Sequence, residues 1–494
     1  LAGGSKLNNI EKIAIANRGE VAVRIIRACQ ELGIATVLLH SEADENTIAY
    51  RLSDEVICIG GAPIANSYMN IEKVIDGAKA AGADAIHPGF GFLSENAEFA
   101  QACVDNKIIF IGPTPEAISL FGDKISAKNL VKTTECPVIP GYNGEDQSEE
   151  TLLKEMDKIG YPVMVKAAGG GGGRGLKVAH NASESKMAIE SARREGINAF
   201  GSDRLFLEKY LGNSKHIEVQ VFGDCTGKVF HLFERECSVQ RRHQKVIEES
   251  LGNISAGLRD KIHKSAVSVA EKAKYLGAGT VEFLVEDDNY YFLEMNTRLQ
   301  VEHPVTEMVM GIDLVKSQIM AANDQSVFWN QNDLTPHGHA IECRLYAEDP
   351  YLGGVPSVGK IGFCQWPYGP GRRFEVGFEE GDTITTNYDS MIAKIIVHDE
   401  SRPRAIKKMI QTLKETIVFG LKTNIPYLLE VLQHEEFVSG EMTTQFLEKN
   451  FPKALEKEEE SEKEKLIISA LKKQMSVNTI QEGELKNPWY EETK

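Results

Sequence analysis

The chain has 494 residues, 42% of them hydrophobic, and a formal net charge of −17. That length exceeds one comfortable core, so two to four domains in an enzyme-sized body are expected. The acid excess argues against general binding to nucleic acid or to anionic membranes, so an anionic ligand requires a local basic pocket.

No apolar run reaches the roughly 18 residues of a membrane span, and the opening Leu1-Ala2-Gly3-Gly4-Ser5 does not read as a secretory signal. The eight cysteines are scattered without a CxxC pair. Reduced, mostly buried thiols and a cytoplasmic location are expected.

In chain order, Ile13-Ala14-Ile15-Ala16 reads as a strand, Asn17-Arg18-Gly19-Glu20 as a turn and Val21 to Leu32 as an amphipathic helix. Strands follow at 36–40, 83–87 and 108–112, the last two each after a helical stretch, which predicts a parallel sheet covered on both faces. Gly19 alone does not make a dinucleotide fingerprint. In Gly89-Phe90-Gly91-Phe92-Leu93-Ser94-Glu95-Asn96 the glycines admit close backbone approach and Ser94 can cap the next helix, so an ordinary cap explains the stretch as well as a ligand site does.

Prolines and glycine at 137, 140 and 141 mark a break. A smaller α+β unit then runs to about 205, with a strand at 162–166. A larger antiparallel region begins near Glu218. A mixed segment starts near 336, with strands at 339–345 and 391–397 and helices at 403–417 and 424–433. From Leu455 the chain is dense in Glu and Lys, and a solvent-exposed helix or partly disordered extension is expected. The division is therefore 1–131, 132–205, 206–335, 336–450 and 451–494.

Chemistry concentrates at three places. Lys166-Ala167-Ala168 leads into five glycines, 169–173, and then Arg174. Such a tract is costly to order as a mere connector, but it leaves backbone N–H groups free to surround phosphate. Between 281 and 296 two strands flank Asp287-Asp288-Asn289, read as a three-residue turn, which sets Glu282 opposite Glu294 with Asn296 on the same face. Two facing carboxylates with no visible partner suit a hard divalent cation shared with nucleotide phosphates, Mg²⁺ above all; a pair of surface carboxylates, or partners of arginines elsewhere in the chain, are the plainer alternatives. Thr297-Arg298-Leu299-Gln300-Val301-Glu302-His303-Pro304 then offers a guanidinium fork for a small oxyanion and a candidate base in Glu302, with His303 as a brace. The basic run 240–245 suits an internal anion pocket, and Arg344, in a strand between apolar neighbours, needs an anionic partner.

Together these segments resemble the biotin carboxylase family across residues 10 to 450. The resemblance implies α/β and α+β architecture, an ATP-grasp fold with an N-terminal parallel-sheet domain and a C-terminal biotin carboxylase domain. It implies that Lys124, Lys166 and the loop glycines Gly171, Gly172 and Gly173 hold ATP phosphates. Glu208 and Lys209 would form the adenine-side hinge, and His216, Gln240 and His243 would add nucleotide contacts. Glu282 and Glu294 would be metal ligands for Mg²⁺ or Mn²⁺, with Asn296 close by. Lys245, Arg298, Gln300 and Val301 would form the bicarbonate site, Glu302 would be the base, and Arg344 would stabilise enolised biotin. Ala168, where many relatives have serine, and the segment 351–357 depart from the family pattern. The expected partners are a biotin carboxyl carrier protein or domain, a carboxyltransferase component and a second copy of this chain. Another carboxylate–amine ligase and a non-catalytic nucleotide-binding scaffold are the competing readings.

Overall fold

A computed structural model describes residues 9–171, 174–200, 203–241 and 244–451. Gly172, Gly173, His243 and the charged tail from 452 onward lie outside the described residues.

Strands Lys12–Ile15, Ala35–Ser41, Glu55–Gly60, Ala85–His87 and Ile109–Phe110 form an all-parallel sheet, in the order 55–60, 35–41, 12–15, 85–87, 109–110. Period-two alternation splits the central strand between two cores. Ile13 and Ile15 pack with the helix Gly19–Leu32, while Ala14 pairs with the core under the helices Ile71–Ala80 and Ala97–Asp105. Glu55–Gly60 was not expected, although Val56-Ile57-Cys58-Ile59 is an apolar run; it is an edge strand, most of its side chains exposed or only partly buried. Asn17 Nδ2 donates to Pro88 O at 2.6 Å and Phe90 O at 2.7 Å, pinning the first turn to the glycine segment. A Cβ on Gly89 (φ +62°) would stand 2.9 Å from that nitrogen, so glycine is required there. Ser94 does not cap the next helix. Asn96 does, accepting from Phe99 N at 2.8 Å.

A four-stranded sheet, ordered 141–142, 205–209, 163–171, 174–179, carries the glycine tract at a hairpin end, where Gly171 pairs with Arg174. Helices Glu149–Ile159 and Ala182–Phe200 cover it with a separate core that includes Leu152, Met156, Val163, Val165 and Leu205.

The third sheet has eight antiparallel strands, ordered 289–296, 277–286, 215–223, 229–241, 244–250, 339–346, 391–399, 372–376. It joins strands from both sides of residue 336 in one ladder. Ile217, Val219, Val221, Val281 and Phe283 pack on the helix Ala256–Lys272, so the alternate residues of these strands face the other way. All eight cysteines are free thiols, five of them buried. No helix among the described residues is long and apolar enough to cross a membrane.

Candidate active site

Glu282 and Glu294 do face each other, though not through the expected turn. Asp287 and Asp288 alone make it, with Glu286 paired to Asn289; Asp287 takes the left-handed conformation (φ 54°) that a short polar residue tolerates. The three-residue turn over 287–289 is therefore corrected to two. That register pairs Phe283 with Phe292 and, continued, would set Glu282 against Leu293. Leu293 instead bulges, and Glu282 returns to face Glu294, with Thr280 opposite Asn296.

The two glutamates sit at different depths. Glu282 is 3% exposed and, contrary to expectation, has partners. Its Oε1 accepts from Lys245 Nζ at 2.9 Å, Asn296 Nδ2 at 2.8 Å and Gln300 Nε2 at 3.2 Å. Its Oε2 lies 2.9 Å from His216 Nε2. Glu294 stands at the exposed rim, where partial desolvation and then the charge of Glu282 raise its pKa.

Lys245 is the hub of the site. Its ammonium meets Glu218 Oε2 at 2.5 Å, Glu282 at 2.9 Å and Glu302 Oε1 at 2.7 Å. Behind it the fully buried Arg235 donates to Glu218 Oε1 at 2.6 Å, and to Gln220, Thr306 and Thr280. Burial alone would push Glu218 up, but Lys245 and Arg235 outweigh it and hold its pKa down to about 2. Glu282 is lowered in the same way, by Lys245 and His216 against burial. Neither Glu218 nor Arg235 was expected from sequence. The signal lies in Lys215–Gly223, where His216, Glu218 and Gln220 alternate with apolar residues that face a helix.

Arg298 is bound into the same network. It donates Nε to Glu95 Oε2 at 2.7 Å, one NH to Gln300 Oε1 at 2.7 Å and the other to Asn296 Oδ1 at 3.2 Å. Glu95 also accepts from Thr297 N at 3.0 Å, so the segment 89–96 reaches the site through an acid that sequence did not single out. His303 Nδ1 lies 2.8 Å from Gln300 O, and burial drives its pKa well down, which makes it a neutral brace. The buried Lys394, also unexpected, donates to Val301 O at 2.8 Å and pairs with Glu20 at 3.1 Å.

Glu302 is wholly buried between two cations, Lys245 on Oε1 and Arg344 on Oε2 at 3.0 Å. Burial favours its acid form, but Lys245 and Arg344 prevail and its pKa is lowered. Arg344 also donates Nε to Glu248 Oε1 at 2.6 Å. The anionic partners that a buried arginine requires are thus two glutamates.

On the smaller sheet, Glu208 is gripped by Lys166 and by Lys128, the latter at 2.5 Å. Lys128 was missed, although it lies one helical turn after Lys124 on the helix Lys124–Val131. Lys124 is exposed at the start of that helix. Lys209 donates its ammonium to Gly160 O at 2.9 Å and Tyr161 O at 2.8 Å. Gln240 is buried, paired in the ladder with Lys245.

Residues 9–118 match the family described as biotin carboxylase, N-terminal domain, and residues 342–449 the biotin carboxylase C-terminal domain. Residues 123–327 match the carbamoyl-phosphate synthase L chain, ATP binding domain. The biotin carboxylase of Allochromatium vinosum is 47% identical over 442 residues, 89% of this chain and 98% of that protein. The chain belongs to the biotin carboxylase family. The human mitochondrial propionyl-CoA carboxylase alpha chain is 44% identical, and this chain spans 61% of it. Among solved biotin carboxylases, the Campylobacter jejuni β-γ-ATP complex superposes with a TM-score of 0.83 at 43% identity, covering 90% of this chain and 99% of that one. The biotin carboxylase domain dimer of Hydrogenobacter thermophilus 2-oxoglutarate carboxylase, in complex with MgADP, ADP and bicarbonate, gives 0.83 at 42%, covering 91% and 99%.

This biotin carboxylase site fits a divalent cation at its rim. His216, Glu218 and Glu282 bring donor atoms within 4.8 Å of one another, but Lys245 and Arg235 already neutralise that inner group. Charge is left over at Glu294, which makes no ion pair among the described residues while Glu282 faces it. Oxygen donors with surplus negative charge suit Mg²⁺. Glu294→Gln is therefore expected to raise the Mg²⁺ concentration giving half-maximal activity by roughly 10- to 100-fold, the range seen when the surroundings of a metal are altered. An unchanged Mg²⁺ titration would remove Glu294 from the metal site.

Proposed function

We propose that this chain uses ATP and bicarbonate to carboxylate the biotin of a carrier protein or domain, releasing ADP and phosphate. One observation carries the assignment of roles: Glu302 is clamped between Lys245 and Arg344, in a network that Arg298 joins through Gln300 and Glu282. A base shared by two cations, each able to bind a substrate anion, brings proton acceptor and acid substrate together without solvent.

Bicarbonate binds Arg298, Gln300 and Lys245 by charge-assisted hydrogen bonds. As it draws on the Lys245 charge, Glu302 loses part of its clamp and becomes a stronger base. Glu302 takes the bicarbonate proton, and the freed oxygen attacks the γ-phosphorus as ADP leaves. Lys124, Lys166 and the glycine hairpin hold the phosphates, with Glu208, Lys209, His216, Gln240 and His243 on the nucleotide side. Mg²⁺ held by Glu282 and Glu294 near Asn296 would offset phosphate charge. Carboxyphosphate splits to CO₂ and phosphate, phosphate takes the N1′ proton of biotin, and the nitrogen captures CO₂ while Arg344 steadies the enolate oxygen. Water exclusion protects the intermediate.

The 1–131, 132–205, 206–335 and 336–450 division then corresponds to an N-terminal α/β unit, a lid, a catalytic unit and a C-terminal unit. The partners are a biotin carrier, a carboxyltransferase and a second copy of the chain, and the location is cytoplasmic. The chain spans nearly all of free-standing biotin carboxylases but under two thirds of several acyl-CoA carboxylase subunits, so the final acyl or 2-oxo acid acceptor is selected outside these residues.

With Mg²⁺ and free biotin, ADP release is expected to require bicarbonate, to rise with biotin and to accompany carboxybiotin. Bicarbonate-independent turnover stimulated by another acid would overturn the assignment.

A further inference from the structure

Strands Gln244–Ser250 and His339–Tyr346 run antiparallel with Glu248 directly opposite Glu342, and both side chains are fully buried. Arg344 is two residues beyond Glu342 and is held from two directions, by Glu248 at 2.6 Å and Glu302 at 3.0 Å. The rest of this patch is short of donors. Glu248 Oε2 and both oxygens of Glu342 are buried without a hydrogen-bond partner. Ionising Glu342 as well as the four carboxylates on Lys245 and Arg344 would leave such oxygens charged and bare in a dry interior, which is costly. The alternative is that Glu342 is carried as a neutral acid. Burial raises its pKa well above the ordinary range and lifts Glu248 to about 7, with Arg344 opposing the rise at Glu248.

The consequence is geometric. Glu302 is expected to change protonation state, and Lys245 to share its charge with substrate, during every turnover. Of the two glutamates on Arg344, Glu248 is the one with no such part in the reaction. We propose that Glu248 is a positioning residue, whose Oε1 fixes the Arg344 guanidinium toward the biotin oxygen while Glu302 is engaged with bicarbonate. This rests on the role given to Arg344 above. A positioning role depends on the reach of the acceptor oxygen rather than on its charge.

Glu248→Gln and Glu248→Asp separate the two properties, because glutamine keeps the reach and loses the charge, and aspartate does the reverse. Both are compared with the parent and with Arg344→Ala, at saturating ATP and bicarbonate and varied free biotin, recording carboxybiotin and ADP together. Glu248→Asp is expected to lower carboxybiotin formation by about 10²-fold, the effect of displacing a catalytic group by about 1 Å. ADP released per carboxybiotin should rise and KM for ATP should stay within about twofold. Glu248→Gln should stay within about threefold of the parent in all three, since its amide oxygen still accepts from Arg344. A fully active Glu248→Asp, or a Glu248→Gln as impaired as Glu248→Asp, overturns the proposal; so does a fall of both products in parallel, which marks a structural role. If Arg344→Ala itself leaves carboxybiotin formation intact, the role of Arg344 fails first and this inference with it.

Discussion

Glu302→Gln is expected to lower bicarbonate-dependent ADP release by about 10²–10⁴-fold, the usual contribution of a positioned base, while ATP binding stays close to that of the parent. The substitution is nearly isosteric, and its structural effect should be small. Glu302 is one of three carboxylates on Lys245 and one of two on Arg344. Removing its charge leaves Lys245 with Glu218 and Glu282, and Arg344 with Glu248, so no cation is orphaned. Nor does Glu302 touch the residues around the glycine hairpin, where Lys166 and Lys128 meet Glu208. The measurement is a pair of titrations, equilibrium binding of ATP and steady-state ADP release against bicarbonate. Turnover equal to the parent's would show that another group takes the bicarbonate proton.

Lys245→Met should have the larger effect on the protein as a whole, removing activity and destabilising the fold by roughly 3–5 kcal/mol, the usual result of taking one partner from a buried ionic cluster. Three buried carboxylates then face one another, with Arg235 on Glu218, His216 near Glu282 and Arg344 on Glu302 as what remains. The pH dependence gives the sharper test. In the parent, Glu218 is held down to about 2 against an ordinary value of 4.5. Its contribution to stability is complete above about pH 4.5 and is lost as pH falls toward 2. Without Lys245 the carboxylates are relieved by taking up protons, so their folded pKa values rise. The variant then gains relative to the parent as pH falls. Denaturant midpoints should be furthest apart near neutrality and converge in acid; a gap independent of pH would mean that Lys245 stabilises by packing rather than by charge.

The sequence alone determined the local pieces. Alternation and apolar runs placed the strands at 13–16, 36–40, 339–345 and 391–397 close to those observed, because burial on one or both faces writes its period directly into a strand. The glycine tract, the facing pair Glu282 and Glu294, and the run from Arg298 to His303 were legible for a similar reason: each is contiguous or lies across one hairpin. Even there the turn was misread, and the facing pair survived only because a bulge at Leu293 offsets the shorter turn.

What only the tertiary structure decided is which distant charges meet. Glu95 reaches Arg298 across 203 positions, Lys394 reaches Val301 across 93 and Glu248 reaches Arg344 across 96. No periodicity carries such pairings, since a buried charge must be neutralised by an opposite one or by a polar group, and any strand can supply it. Glu282 illustrates the point: from sequence it was a carboxylate with no visible partner, whereas in the fold Lys245 and His216 meet it and the uncompensated charge lies at Glu294, which faces it. Local pattern names the acids and bases of this site. The folding of the eight-stranded sheet against the N-terminal domain chooses their partners, and thereby their protonation states.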